Sequence, residues 1–429
     1  MMDDFHLEDG SLRCEAVSLS EIAEAVGTPV YVYSAAAMCR QVDRFRHALD
    51  PLGNPLIAYS VKANSNAAVV ATLARAGLGA DIVSGGEYRR AIAAGVKPEC
   101  VVFSGVGKTE AEMRLALHGG LFQFNIESFE EAVTLSTVAS SMGMTAPAAF
   151  RINPGVGGGG HAKITTGAAE NKFGIPIHDA LDFYARASGL AGLQLQGVAV
   201  HIGSQLSSLE PFEQAFTKIG ELIRALRSNG HSIATADLGG GLGVPYNPDL
   251  PPPPSPEDYG AMVCRITRDW NARLLFEPGR LIVGNAGVLL SRVIRVKPGA
   301  GSPFVIVDAA MNDLMRPALY EAWHKIDAVQ PAGGHWSANV VGPVCETGDT
   351  FATARKMDRV GPGDLVAFRT AGAYAATMSG TYNSRPLTPE VLVQGGRWAV
   401  VRPRVDVEAL IAADSIPDWL DSCAADSSV

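Results

Sequence analysis

Cysteine is scarce and scattered. Cys14, Cys39, Cys100, Cys264, Cys345 and Cys423 form no C-x-x-C pair, which argues against a disulfide framework or a zinc site and for free thiols in a reducing compartment. Long apolar runs are also missing. None approaches the ~20 residues that a bilayer crossing needs. The first residues, MMDDFHLEDG, are acidic where a secretory leader would be basic and then apolar. Clusters of one charge are absent too, and the net charge is −9, so there is no basic surface for nucleic acid. These absences leave a cytoplasmic protein with no membrane and no nucleic-acid partner.

What is present is enough apolar sequence for a large core, 47% against 18% charged residues. From residue 55 to 280 one unit recurs: a short β-rich apolar run, a small or polar residue, then a stretch of helical periodicity. Eight runs read as strands: Leu56–Ala63, Ala80–Ser84, Val101–Ser104, Leu121–Ile126, Ala148–Asn153, Leu195–Gly203, Ala234–Gly239 and Arg273–Pro278. Helices are expected over Asn66–Ala76, Gly86–Ala94, Thr109–His118, Ser128–Met142, His178–Ser188, Pro211–Ser228 and Pro256–Trp270. Several open on a capping Ser, Thr or Asn or on an early Pro, and Glu110, Glu130 and Glu213 oppose the positive helix end. The alternation predicts a parallel sheet. Eight repeats permit a closed (β/α)8 TIM barrel, although an open doubly wound sheet alternates in the same way.

Beyond Arg280 short strand-like runs separated by Gly and Pro predict a second, mainly β (β-barrel-like) domain. The expected division is residues 1–30 packing with the β domain, 31–280 as the barrel and 281–429 as the C-terminal β domain. Gly155–Gly160 could serve as a lid, and Pro251–Pro254 is a rigid loop.

In such a barrel the active site gathers at the carboxyl ends of the strands. Strand one ends in Tyr59-Ser60-Val61-Lys62-Ala63-Asn64. A lysine leaving a buried strand suits an amine of lowered pKa that forms a Schiff base, although most lysines are simply exposed. Strand six ends His201-Ile202-Gly203-Ser204, offering an imidazole to lie against a cofactor ring and a hydroxyl for phosphate. Strand seven ends in Gly239-Gly240-Gly241, a stretch of backbone N–H groups that can close on a phosphate. Strand eight ends Glu277-Pro278-Gly279-Arg280, with an acid able to keep a pyridine nitrogen protonated. Each signal has an ordinary structural explanation. All of them at the strand ends of one barrel do not.

These residues resemble the alanine-racemase-like, fold-type III group of pyridoxal-phosphate enzymes, and within it the diaminopimelate decarboxylase family, over nearly the whole chain. The resemblance implies pyridoxal 5'-phosphate held covalently by Lys62, with His201 on its ring and Glu277 at its nitrogen. Ser204, Gly240, Gly241, Pro278, Gly279 and Tyr374 would surround the cofactor. Arg280 would sit beside cofactor and substrate, and Asp81 and Glu87 would line the pocket. Further matches are Met311–Tyr320, the Gly-Pro-Val-Cys-Glu-Thr-Gly-Asp segment from Gly342 to Asp349, Gly372-Ala373-Tyr374, and Tyr382–Arg385. In similar enzymes the Cys345 and Glu346 segment reaches the barrel of a partner subunit, which implies a homodimer with shared sites. Cys345 is then the proton donor, since an ordinary thiol of pKa ~8.5 is largely protonated at neutral pH.

The implied reaction is the decarboxylation of meso-2,6-diaminopimelate to L-lysine and CO2. Its far carboxylate calls for cations and donors, here Arg280, Arg316 and Tyr320, with Glu346 for the distal ammonium and Tyr374 touching both substrate and phosphate. The nearest alternative is a decarboxylase of the ornithine or arginine type, whose substrate needs no such cation. A cofactor-free barrel lyase, a racemase and a decayed homologue that binds a partner protein fit the residues less well.

Overall fold

The computed structural model describes residues 4–157 and 171–421. Its centre is a closed ring of eight parallel strands: Leu56–Ser60, Gly79–Ile82, Val101–Phe103, Gln123–Ile126, Ala146–Asn153, Leu193–Val200, Thr235–Asp237 and Arg273–Phe276. The ring closes where strand eight pairs with strand one, Leu275 opposite Leu56 and Phe276 opposite Ile57. All eight strands expected from the sequence form, and closure decides for the TIM barrel over an open sheet.

The seven expected helices also form, with ends moved by at most three residues. Their starts are set by side chains that accept otherwise unpaired N–H groups: Ser84 from Glu87, Ser128 from Glu131, and Thr109 from Glu112 in a reciprocal capping box. An eighth helix, Ala35–Leu49, was not expected. It precedes strand one and packs against both Ala67–Arg75 and Pro256–Thr267, filling the gap in the outer ring. Strand eight is followed only by a single turn, Arg280–Val283. The omitted helix buries Met38, Val42, Phe45 and Leu49, an apolar stripe at three- and four-residue spacing behind a Ser34 cap.

The second domain is a nine-stranded β sheet, as expected of a mainly β unit. Its long strand Gly287–Lys297 lies antiparallel to Val30–Ser34, which in turn runs parallel to Glu390–Gln394. All five residues of Val30–Ser34 are buried, so this early segment sits in the middle of a sheet built mostly from the end of the chain. The seam between the domains is polar and buried. Glu390 accepts from Asn66 Nδ2 at 2.8 Å and from the Tyr33 hydroxyl at 2.5 Å. This ties the sheet to the loop just beyond strand one.

Candidate active site

Strand one stops at Ser60, and residues 61–63 make one 3-10 turn that lifts Lys62 over the barrel mouth. The β domain pins this turn. Tyr374 donates its N–H to the Ala63 carbonyl at 2.7 Å, and Asn64 Nδ2 donates to the Gly372 carbonyl at 3.2 Å. Lys62 Nζ then lies 2.7 Å from Asp81 Oδ2 on strand two. Asp81 is fully buried, also accepts from the Ser60 hydroxyl, and its Oδ1 has no partner among the described residues. Burial by itself lowers the pKa of Lys62. The charge of Asp81, helped by Tyr374 and Glu277, outweighs it and holds the amine above its ordinary value. The expectation of a lowered pKa is therefore corrected: the carboxylate in contact stabilises the ammonium form.

Three acids converge under this lysine. Glu277 accepts from the Ser104 hydroxyl at 3.1 Å and from Asn125 Nδ2 at 3.3 Å, and Asn125 also donates to Asp237 Oδ2 at 2.8 Å. Burial, then the charges of Asp237 and Asp81, push the Glu277 carboxyl well above the usual range. Burial raises Asp237 as well. His201 is held well below its ordinary value, first by burial and then by Arg151 and Lys62. Its Nδ1 accepts the Gly240 N–H at 3.1 Å, so the ring is neutral with its proton on the other nitrogen.

The glycine loop is a close-packed wall. A Cβ at Gly240 would stand 2.2 Å from the Glu277 carbonyl oxygen. At Gly241, where φ is +111°, it would stand 2.5 Å from the Gly203 carbonyl oxygen. With Ser60, Lys62, His201, Ser204, Glu277, Pro278, Gly279, Arg280 and Tyr374, this loop lines a cavity at the barrel mouth.

Two buried arginines stand at its outer side. Arg280, 5% exposed, donates to the Tyr246 hydroxyl at 2.5 Å and to the Ser204 hydroxyl at 3.1 Å, while its Nε has no partner. Its guanidinium lies 4.7 Å from the centre of the Tyr374 ring. Arg316, also 5% exposed, stacks at 5.2 Å from the Tyr246 ring and 5.9 Å from the Tyr320 ring. Neither forms an ion pair with an acid among the described residues. Burial, and the like charge of Arg280, lower the pKa of Arg316. Arg316, Tyr320, Tyr246 and Trp323 line a second hollow that adjoins the first.

Residues 35–284 match the family described as "Pyridoxal-dependent decarboxylase, pyridoxal binding domain". The chain is 53% identical to the diaminopimelate decarboxylase of Zymomonas mobilis, covering 97% of this chain and 99% of that one. It is 48% identical to that of Pseudomonas aeruginosa at the same coverage. The chain belongs to the diaminopimelate decarboxylase family. Among solved structures, the M. jannaschii diaminopimelate decarboxylase in complex with L-lysine superposes with a TM-score of 0.93 at 34% identity, over 97% of this chain and 98% of that one. The Helicobacter pylori enzyme complexed with L-lysine gives 0.88 at 37%, over 92% and 98%.

Not every residue that the diaminopimelate decarboxylase resemblance points to stands at the cavity of its own chain. Cys345 and Glu346 are exposed, on the turn between strands His335–Val341 and Thr350–Asp358. That turn is ordered by Asp349, which accepts from Met311 and Val344 at 2.6 and 2.7 Å. Glu346 lies near the Tyr382 hydroxyl and raises its pKa, and Cys345 Sγ lies 3.8 Å from Asn383 Nδ2. Glu87 is turned to the Val83 N–H at 2.8 Å. Of the expected lid, Gly158–Gly160 lie outside the described residues, as does Cys423. Sequence reading missed Ser104, Asn125, Arg151 and Asp237, which line the cavity beneath Lys62, and Tyr246. The first four sit at or beside strand ends, so the rule that found Lys62 and Glu277 would have found them too.

Proposed function

We propose that this member of the family decarboxylates meso-2,6-diaminopimelate to L-lysine and CO2, with pyridoxal 5'-phosphate anchored on Lys62, as a cytoplasmic homodimer. The reading rests on one observation above others: two buried arginines, neither with an acid partner among the described residues, beside a cavity that holds Lys62 and Glu277. A buried guanidinium is costly unless an anion answers it. A substrate of the ornithine or arginine type would leave Arg316 unanswered.

The cavity residues fit the cofactor. Asp81 Oδ1 and Arg280 Nε are buried without partners among the described residues, and the Gly240–Gly241 wall excludes side chains from a space with Ser204 and Tyr374 at its edge. When bound, the cofactor supplies an electron sink for the pair left on the α-carbon as CO2 departs. Every other task falls to the chain. The Lys62 ammonium must give up a proton before it can attack a carbonyl, and its contact with Asp81 is the route by which that proton leaves. The raised Glu277 carboxyl can give a proton to a ring nitrogen and remain beside it as the counter-charge. The neutral His201 imidazole offers a flat face without adding positive charge. Ser204, Gly240, Gly241, Pro278, Gly279, Arg280 and Tyr374 would surround the cofactor, with Ser204 and Gly241 at its phosphate. Arg316 and Tyr320 receive the distal carboxylate. Cys345 and Glu346, exposed on their own chain, serve the barrel of a second copy, where the thiol gives its proton to the α-carbon and Glu346 takes the distal ammonium.

The test is direct. Cofactor-loaded protein incubated with meso-diaminopimelate should release lysine and CO2 in equal amounts, with L-ornithine and L-arginine as controls. Turnover of either control at the rate of diaminopimelate would overturn the assignment.

A further inference from the structure

Tyr246 lies between the two arginines, and neither the family resemblance nor the strand-end rule singles it out. Its hydroxyl oxygen already accepts one hydrogen bond, from Arg280 Nη1 at 2.5 Å. The O–H it still has to give finds no acceptor among the described residues. The guanidinium of Arg316 lies 5.2 Å and that of Arg280 5.7 Å from the centre of its ring, so the ring stands beside two like charges that have no acid partner among the described residues. His324 backs the ring edge-on at 5.3 Å. That histidine is 2% exposed, and its Nδ1 is 2.8 Å from the Arg369 carbonyl. The ring is therefore held from behind, and Tyr246 lines the same hollow as Arg316 and Tyr320.

We propose that Tyr246 is a further substrate-binding residue: its hydroxyl accepts from Arg280 and donates its own proton to the substrate carboxylate received by Arg316. This rests on the reading of diaminopimelate as substrate and adds a third donor to the distal site. A phenol polarised by a guanidinium is a stronger donor than a free one, and its acceptor here is an anion. The ring also keeps Arg280 turned to the cofactor side and Arg316 to the substrate side.

The experiment compares holo parent and holo Tyr246→Phe, using L-lysine and cadaverine as competitors of diaminopimelate turnover. L-lysine keeps the distal carboxylate, and cadaverine has none. The Phe variant keeps the ring and the cofactor's visible absorption. It should bind L-lysine about 10- to 100-fold more weakly, the range for one hydrogen bond to a charged group, with a matching rise in KM and a smaller change in kcat. Cadaverine inhibition should stay within about twofold of the parent, as expected when an interaction with an absent group is lost. Unchanged L-lysine affinity, or an equal weakening of both competitors, overturns the role, the second outcome marking a merely structural tyrosine. A parent that ignores diaminopimelate would sink the substrate reading and this role together. A parent that turns it over beside a Phe variant of parental L-lysine affinity would sink the role alone.

Discussion

At the scale of single residues the site is decided by which charges have partners. Arg316 has none among the described residues, so Arg316→Ala should raise KM for diaminopimelate by about 10- to 100-fold with little change in kcat, read from steady-state kinetics. A drop confined to kcat would place Arg316 at the reacting carbon instead. Buried histidines carry a pH signature. Burial holds His324 down to about 3, while in the unfolded chain it titrates near ~6.5. Between those values the unfolded state binds the extra proton, so stability is present above ~6.5 and is lost as pH falls. The slope is about 1.4 kcal/mol per pH unit for one proton. Denaturant titrations of His324→Asn from pH 6.5 to 5 should show a slope flatter by about that amount. An unchanged slope would mean that the imidazole is charged in the fold.

At the scale of elements, catalytic geometry comes from loops that cannot move independently. The glycine loop after strand seven touches the carbonyl of Glu277 on one side and that of Gly203 on the other. Gly240→Ala should therefore cost about 1–3 kcal/mol of stability and abolish cofactor retention, seen as a lower Tm and the loss of the visible absorption band. A variant with parental Tm and colour would show that the loop yields. The turn carrying Lys62 is locked in the same way, by Tyr374 and Gly372 reaching in from the β domain. The legibility of these elements was uneven. The strand that delivers Lys62 was readable from its apolar run, but its early end at Ser60 was not, because the 3-10 turn is imposed by residues more than three hundred positions away. Helix Ala35–Leu49 had a readable apolar stripe. It went unread because the repeat of strand followed by helix directs attention to helices after strands, and this one comes before.

For the whole molecule the open matter is the distance between halves of the chemistry. Lys62 lies in a buried cavity, and Cys345 and Glu346 lie on an exposed turn of the same chain. If two copies complete each other, Lys62→Ala and Cys345→Ala proteins are each inactive. When unfolded together and refolded as a random mixture, they should recover about a quarter of parental activity, since half the dimers are mixed and each of those has one intact site. No recovery, in a mixture shown to exchange subunits, would mean that each chain works alone.

Local pattern alone determined a good deal here. Apolar periodicity and its alternation predicted eight strands and seven helices, and the residues at strand ends pointed to Lys62, His201, Glu277 and the glycine loop, because period and chain order are properties of neighbouring residues. Tertiary structure alone decided that the ring closes, that Asp81 turns Lys62 into a stabilised ammonium, that burial and two other acids raise the Glu277 carboxyl, and that Arg280 and Arg316 have no acid partner among the described residues. Those outcomes depend on burial and on charges brought within a few ångströms by the fold, and no spacing along the chain encodes such distances.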